Sequence, residues 1–418
     1  MPSTHGREPL HFAKKSVGVG LKDFEQQIDM PRMRQYRMKR FQDQLKRLDY
    51  GGAVLYDPIN IRYVSGSRNM SVWTLHNAAR YMFVPAEGKC VLFDFHNCEH
   101  LSDGLETIGE VRPARGLFFF SAGSRMEEKA VSWAKDMDVL FRERCGGNKR
   151  IAFDHIDPPA LRALEKLGWD IKDGQEPCEL ARAIKSPDEI ACMLHSIAVC
   201  EVGMAEMREQ LKPGKTEQEI WAILNDANNR LGGEWIECRL LSSGGRTNPW
   251  FKEAGEKIIR PGDIVSYDTD LIGPFGYCAD ISRSYLCGPS KATDEQRRLY
   301  GLAMEQIHYN IDLVKPGLSF KEFSEKAWRI PNEFYANRYS CVAHGVGMAD
   351  EWPKVVHAPD HARSGYDGVL EPNMTICIES YMGSEGGAEG IKLEQQVLVT
   401  ESGCEVMTVF PFEERLMT

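Results

Sequence analysis

Residues 262–283 limit what this chain can fold into more than any other stretch. The run Gly-Asp-Ile-Val-Ser-Tyr-Asp268-Thr-Asp270-Leu-Ile-Gly-Pro-Phe-Gly-Tyr-Cys-Ala-Asp280-Ile-Ser-Arg283 sets three carboxylates into segments that otherwise read as buried strands. Strand alternation would put Asp268 and Asp270 on one face. Gly273-Pro274-Phe275-Gly276 reads as a turn that folds the second strand back and brings Asp280 beside the pair. Three carboxylates on one sheet face repel each other, and burying them is costly unless a cation compensates. This segment alone leaves two readings open, a solvated hairpin end and a metal site. Three more candidate ligands lie downstream. His344 sits in Ala-His344-Gly-Val-Gly347, Glu379 ends Met-Thr-Ile-Cys-Ile-Glu379, and Glu394 lies in Ile-Lys-Leu-Glu394. Acidic residues inside two strands that otherwise look buried are hard to explain as structure alone.

The rest of the chain frames this centre. With 418 residues it is too long for one core, so two or three domains are expected. An arm over 1–28 precedes an α/β domain over 29–184, where short buried strands (Gly52–Tyr56, Lys89–Phe95, Ile151–Asp154) alternate with helices at Met30–Arg47 and Pro159–Leu167. The third region, 185–418, opens on the capping box Ser186-Pro-Asp-Glu189 and a long apolar-faced helix. Further helix starts are expected at Thr216, Thr293 and Ser319, with strands at Trp235–Ser242, Asp263–Asp268, Tyr277–Leu286, Met374–Glu379 and Ile391–Thr400. The fold class is therefore α/β (α+β). The net charge of −10 argues against a nucleic-acid partner. No apolar run reads as a bilayer span, and the N-terminus lacks the apolar core of a signal peptide. Twelve scattered cysteines without a C-x-x-C pair read as thiols in a reducing compartment, so a cytoplasmic location is expected.

The ordered set Asp, Asp, His, Glu, Glu resembles the pita-bread metallopeptidase superfamily, which includes methionine aminopeptidase, prolidase, aminopeptidase P and creatinase. "GDIVSYD…GYCADISRSY", "AHGVG", "IES" and "IKLEQQVLVTESG" carry the likeness, and Asp57-Pro-Ile-Asn-Ile-Arg-Tyr63 resembles the entry motif of the creatinase-type N-terminal domain. The resemblance implies a creatinase-like N-terminal domain, a pita-bread catalytic domain with two metal ions, and a homodimer.

Three departures stand against peptide hydrolysis. Trp250, in Ser243-Gly-Gly-Arg-Thr-Asn-Pro-Trp250-Phe, occupies the place of one peptidase histidine. Asp350, in His344-Gly-Val-Gly-Met-Ala-Asp350-Glu-Trp-Pro353, occupies that of the other. Those histidines would serve the oxyanion and the leaving nitrogen. Asp270 is an extra carboxylate where peptidases usually carry glycine. With two divalent ions it leaves a ligand shell of about −1. Together the departures resemble the DddP-type dimethylsulfoniopropionate (DMSP) lyases, a non-peptidase branch of the superfamily. That resemblance implies the ligands Asp268, Asp270, Asp280, His344, Glu379 and Glu394, with Asp350 as base in a β-elimination that yields dimethyl sulfide and acrylate. The runner-up is a prolidase-like hydrolase. Asp350 is expected to be partly desolvated, with its pKa raised by acidic neighbours. Tyr339, Trp250 and Trp73 are the aromatic candidates for the sulfonium, Trp73 reaching in from the N-terminal domain, of the partner subunit in a dimer; core packing is the alternative for each. Oxygen-rich ligation suits iron, manganese or cobalt, with zinc also compatible, and the family resemblance points to iron. Cys278 and Cys341 flank ligands in sequence but are not counted among them.

Overall fold

The computed structural model describes residues 28–417. The expected arm, apart from Ile28, lies outside the described residues. The chain divides into two compact units, Asp29–Arg182 and Ala183–Thr418.

The N-terminal unit is built on one six-stranded sheet of β1 (Gly52–Leu55), β2 (Tyr81–Pro85), β3 (Cys90–Asp94), β4 (Ile108–Pro113), β5 (Arg150–Phe153) and β6 (Asp170–Asp173). Their order is β4-β3-β2-β1-β5-β6, with β2 antiparallel to both neighbours and the outer pairs parallel. The expected helix Met30–Arg47 forms, its N-terminus capped by Asp29, which accepts from Arg32 N at 3.0 Å. The entry motif also acts as a cap: Asp57 accepts from Ile59 N at 2.7 Å and starts the helix Pro58–Ser65, which Gly66 closes at φ 82°. The core joins Val54, Phe83 and Ile151 of the sheet to Trp133, Leu140 and Phe141 of the helix Met126–Arg144.

Three sheets build the C-terminal unit. In chain order its strands are β7 (Trp235–Ile236), β8 (Leu241–Ser243), β9 (Ile264–Tyr267), β10 (Leu271–Ile272), β11 (Cys278–Ala279), β12 (Arg283–Leu286), β13 (Ala343–Val346), β14 (Asp350–Val355), β15 (Thr375–Met382), β16 (Ile391–Val399) and β17 (Cys404–Val406). They assemble as β11-β10-β7, β12-β9-β8 and β14-β13-β15-β16-β17. The capping boxes at Ser186, Thr216 and Thr293 form in both directions, and Ser319 accepts from Glu322 N.

Three expectations need correction. The single strand expected over Trp235–Ser242 is two short strands in different sheets, and that over Tyr277–Leu286 breaks at Asp280–Ser282, where the chain passes between sheets. A bilayer-length apolar segment does exist: the 24-residue helix Pro187–Gln210 meets the length and composition of a span. It nevertheless buries Asp188, Glu189 and His195 and packs on the helix Glu217–Arg230, so it serves as a core helix of this unit.

Candidate metal centre

The aspartates reach the centre by a route other than plain alternation. Strand β9 ends at Tyr267, and Asp268 to Asp270 leave it as a loop. Asp270 has φ +34°, in the left-handed region where an L side chain is disfavoured. Aspartate is among the few residues that tolerate it. Thr269 clamps the loop: its hydroxyl donates to the Ala279 carbonyl and accepts from Ile281 N, both at 2.9 Å. The Pro274–Gly276 turn then folds β11 back on β10 with Leu271 opposite Ala279, which sets Asp270 beside Asp280. Glu379 and Glu394 are partners across β15 and β16, and His344 on β13 pairs with Cys377 of β15.

The six predicted ligands converge. His344 Nε2 lies 3.3 Å from Glu379 Oε1, 3.5 Å from Glu394 Oε1 and 3.6 Å from Asp280 Oδ2. Its Nδ1 donates to the Gly345 carbonyl at 3.0 Å, which fixes the ring with Nε2 toward the carboxylates. Donor atoms of Asp280, His344, Cys377 and Glu394 lie within 4.8 Å of one another, and so do those of Asp270, Asp280 and Asp350. Asp280 belongs to both groups. Asp268 joins from the other side through Lys392, whose Nζ is 3.1 Å from Asp268 Oδ2.

Two observations show that these residues fit a bound metal. Asp268 Oδ1, Asp280 Oδ1 and Glu394 Oε1 are buried with no hydrogen-bond partner among the described residues. Such oxygens are costly to bury unless a cation takes their lone pairs. The electrostatics point the same way. Burial, then neighbouring carboxylates, holds Asp270 and Asp280 well above the ordinary aspartate range. Burial and Glu394 push Glu379 up to about 7. For His344 burial opposes the charge, yet Asp350, Glu379 and Glu394 outweigh it and raise its pKa. Glu394 goes the other way: burial opposes its charge, yet Lys392 and His344 hold it well below the ordinary glutamate range. A bound cation would relieve the crowding of like charge among the others. Burial raises the pKa of the Cys377 thiol, which donates to the Asp280 carbonyl at 3.8 Å and stands within the donor group of Asp280, His344 and Glu394.

Asp350 stands at the rim. Its Oδ1 is 3.6 Å from His344 Nδ1, and its side chain is 54% exposed. The side chain is thus about half covered, less enclosed than the buried ligands, because β14 begins at Asp350. Tyr339 lies over the centre with Lys392 Nζ 4.5 Å from its ring centroid. Trp250 is buried, 6.2 Å from the ring of Tyr381. Trp73 belongs to the N-terminal unit, edge-on to Phe95 and Phe118.

Residues 191–401 match the metallopeptidase family M24 profile, and residues 37–168 match the creatinase/prolidase N-terminal domain. The dimethylsulfoniopropionate lyase DddP of Roseovarius nubinhibens is 43% identical over 395 residues, covering 93% of this chain and 88% of its own. That of Roseobacter denitrificans is 41% identical with the same coverage. The chain belongs to the DddP family of dimethylsulfoniopropionate lyases. Within metallopeptidase family M24 it has the pita-bread fold: an Xaa-Pro dipeptidase from Bacillus anthracis superposes with a TM-score of 0.73 at 21% identity, over 91% of this chain and 99% of that one.

Two residues beside this centre escaped the sequence reading. Lys392 is fully buried and touches Asp268, Glu379 and Glu394. Its signal was a lysine two positions before Glu394 in a buried strand, hence on the same face. Phe251 stacks on Tyr339 with ring centroids 5.4 Å apart and is 57% exposed. It follows Trp250 directly, but nothing in the sequence places it over Tyr339.

Proposed function

We propose that this chain cleaves DMSP by β-elimination to dimethyl sulfide and acrylate, at a centre of two metal ions held by Asp268, Asp270, Asp280, His344, Glu379 and Glu394. The observation that carries this reading is the placement of Asp350: a partly exposed carboxylate at the rim, grouped with Asp270 and Asp280, where a peptidase would carry a histidine.

Bound divalent ions supply Lewis acidity that lowers the cost of charge developing next to the substrate carboxylate. Asp350 accepts the proton from the carbon α to that carboxylate. The electron pair left behind forms the carbon–carbon double bond, and the C–S pair departs on sulfur. Dimethyl sulfide leaves neutral, so no general acid is required, and Trp250 in place of a histidine costs nothing. Tyr339, whose ring already holds Lys392 Nζ at 4.5 Å, and buried Trp250 are the aromatic residues proposed to line the place of the sulfonium, a contact worth about 0.5–2 kcal/mol where a ring meets it.

Iron is the metal proposed: the oxygen-rich donor set with one imidazole suits iron, manganese or cobalt, and the family resemblance points to iron among them. The finer proposal also includes a cytoplasmic homodimer in which Trp73 of the partner subunit faces the sulfonium. Metal analysis and the mass in solution test these points.

The direct test incubates purified protein with DMSP and measures dimethyl sulfide in the headspace. Wild type releases the gas, and Asp350→Ala loses about 10²–10⁴-fold in rate while keeping its metal. No gas from wild type, together with cleavage of an Xaa-Pro dipeptide, would return the chain to the prolidase reading.

A further inference from the structure

Lys392 has no place in the mechanism above, yet it is as enclosed as any charge of the centre. It lies on β16, fully buried, two residues from Glu394. Its Nζ is 2.7 Å from Ser282 Oγ, 2.7 Å from Glu379 Oε2, 3.3 Å from Glu394 Oε2 and 3.1 Å from Asp268 Oδ2. The face of Tyr339 closes the remaining side at 4.5 Å. An ammonium carries three protons, and these acceptors use all of them. Both glutamates are divided in the same way: Oε2 goes to Lys392, and Oε1 turns toward His344 Nε2. Ser282 fixes the arrangement further by donating to Glu394 Oε2 at 2.8 Å.

We infer that Lys392 is a positioning residue, a built-in cation that gathers Asp268, Glu379 and Glu394 into place before metal arrives. The inference rests on the metal-centre reading of the site. It also alters the charge argument made from sequence. Five carboxylates and two divalent ions leave about −1, and the ammonium brings the sum to about zero. The fifth carboxylate, Asp270, is thus matched by a cation inside the protein. A lysine held only for packing would show one or two acceptors at the edge of a core. This one binds half of the ligand set.

The test compares wild type and Lys392→Met, each stripped with chelator and then reloaded with Mn²⁺, reading Tm and metal content. The expected result is a stripped variant that melts about 5 °C or more below stripped wild type. Reloading then recovers most of that difference, so metal raises Tm more in the variant than in wild type. In Co²⁺-loaded protein the visible absorption bands shift, because the glutamate oxygens freed from Lys392 change the coordination. Lys392→Gln, which keeps a donor to Glu379, runs in parallel and decides the matter by the same readings if the methionine variant does not fold. An equal metal-induced rise in Tm and an unchanged cobalt spectrum would overturn the inference while leaving the metal centre standing. No metal-induced rise in wild type would overturn both.

Discussion

Both units bury carboxylates, but in different ways. In the N-terminal unit Asp94 is fully buried, and both of its oxygens are used: Oδ2 takes Arg80 Nε at 2.8 Å, and Oδ1 takes Asn69 Nδ2 at 3.0 Å and Phe95 N at 2.8 Å. Asp154 likewise accepts from Tyr56 N, Asp57 N and Asn60 Nδ2. In the C-terminal unit, Asp268, Asp280 and Glu394 each keep a buried oxygen without a hydrogen-bond partner among the described residues. Glu217 shows that the unit is not the cause. It is buried in the same C-terminal unit, and its oxygens accept from Ser243 N, Ser243 Oγ, Gly255 N and Arg246. A buried acid does not mark a site; a cluster of buried acids with lone pairs left over does.

The comparison breaks most severely at Asp280, which belongs to both donor groups. Asp280→Asn is expected to lose most of its metal by elemental analysis and about a thousandfold or more in dimethyl sulfide release, with a circular dichroism spectrum like wild type. Full metal content in that variant would remove Asp280 from the ligand set. The matching change in the other unit is Arg80→Met, which strands Asp94 in the core. It should lower stability by about 3–5 kcal/mol in denaturant titration, with metal content unaltered. If metal content fell equally in both variants, the contrast between satisfied and unsatisfied acids would be wrong.

Asp270 sharpens the contrast at smaller amplitude and with opposite sign. Its folded-state pKa is raised, so the carboxyl favours the fold while protonated, and that contribution is lost as pH rises through the folded value. Asp270→Asn removes the titration. In metal-stripped protein the variant should melt a few degrees above wild type, and by more as pH rises. In metal-loaded protein the order reverses, because a ligand has been lost. A stripped variant less stable than stripped wild type at every pH would show that Asp270 is a structural residue.

The sequence made most of this site legible because the ligands sit in short apolar segments where a charge stands out. Glu379 and Glu394 were visible for that reason, and β15 and β16 pair them directly. Asp268 and Asp270 were identified for a partly wrong reason, since a loop with a positive φ and not a continuous strand brings them together. The strand-and-helix alternation of the N-terminal unit was legible, but β2, β4 and β6 were not. Lys392 was hidden because its role depends on three residues up to 124 positions away, Asp268 being the farthest. Its own segment reads as an ordinary strand.

Phe251 tests the outermost part of the comparison, where the cost lies in shape and exposure instead of charge. It holds φ +71° and leaves an aromatic side chain 57% exposed, two features that work against folding. The loop is nonetheless tied down: Asn248 donates to the Ser384 and Gly387 carbonyls, and Arg246 pairs with buried Glu217. Asn337, two residues before Tyr339, donates to Asn248 Oδ1 at 3.1 Å, which links the two aromatic segments. If the sulfonium lies at Tyr339, a ring held this way is its outer wall. Phe251→Ala should raise KM for DMSP about 3–10-fold with kcat within about twofold, the size of one aromatic contact at a half-exposed position. Phe251→Tyr should stay near wild type. If Phe251→Ala lowered kcat with KM unchanged, the ring would be acting on the loop and not on the substrate.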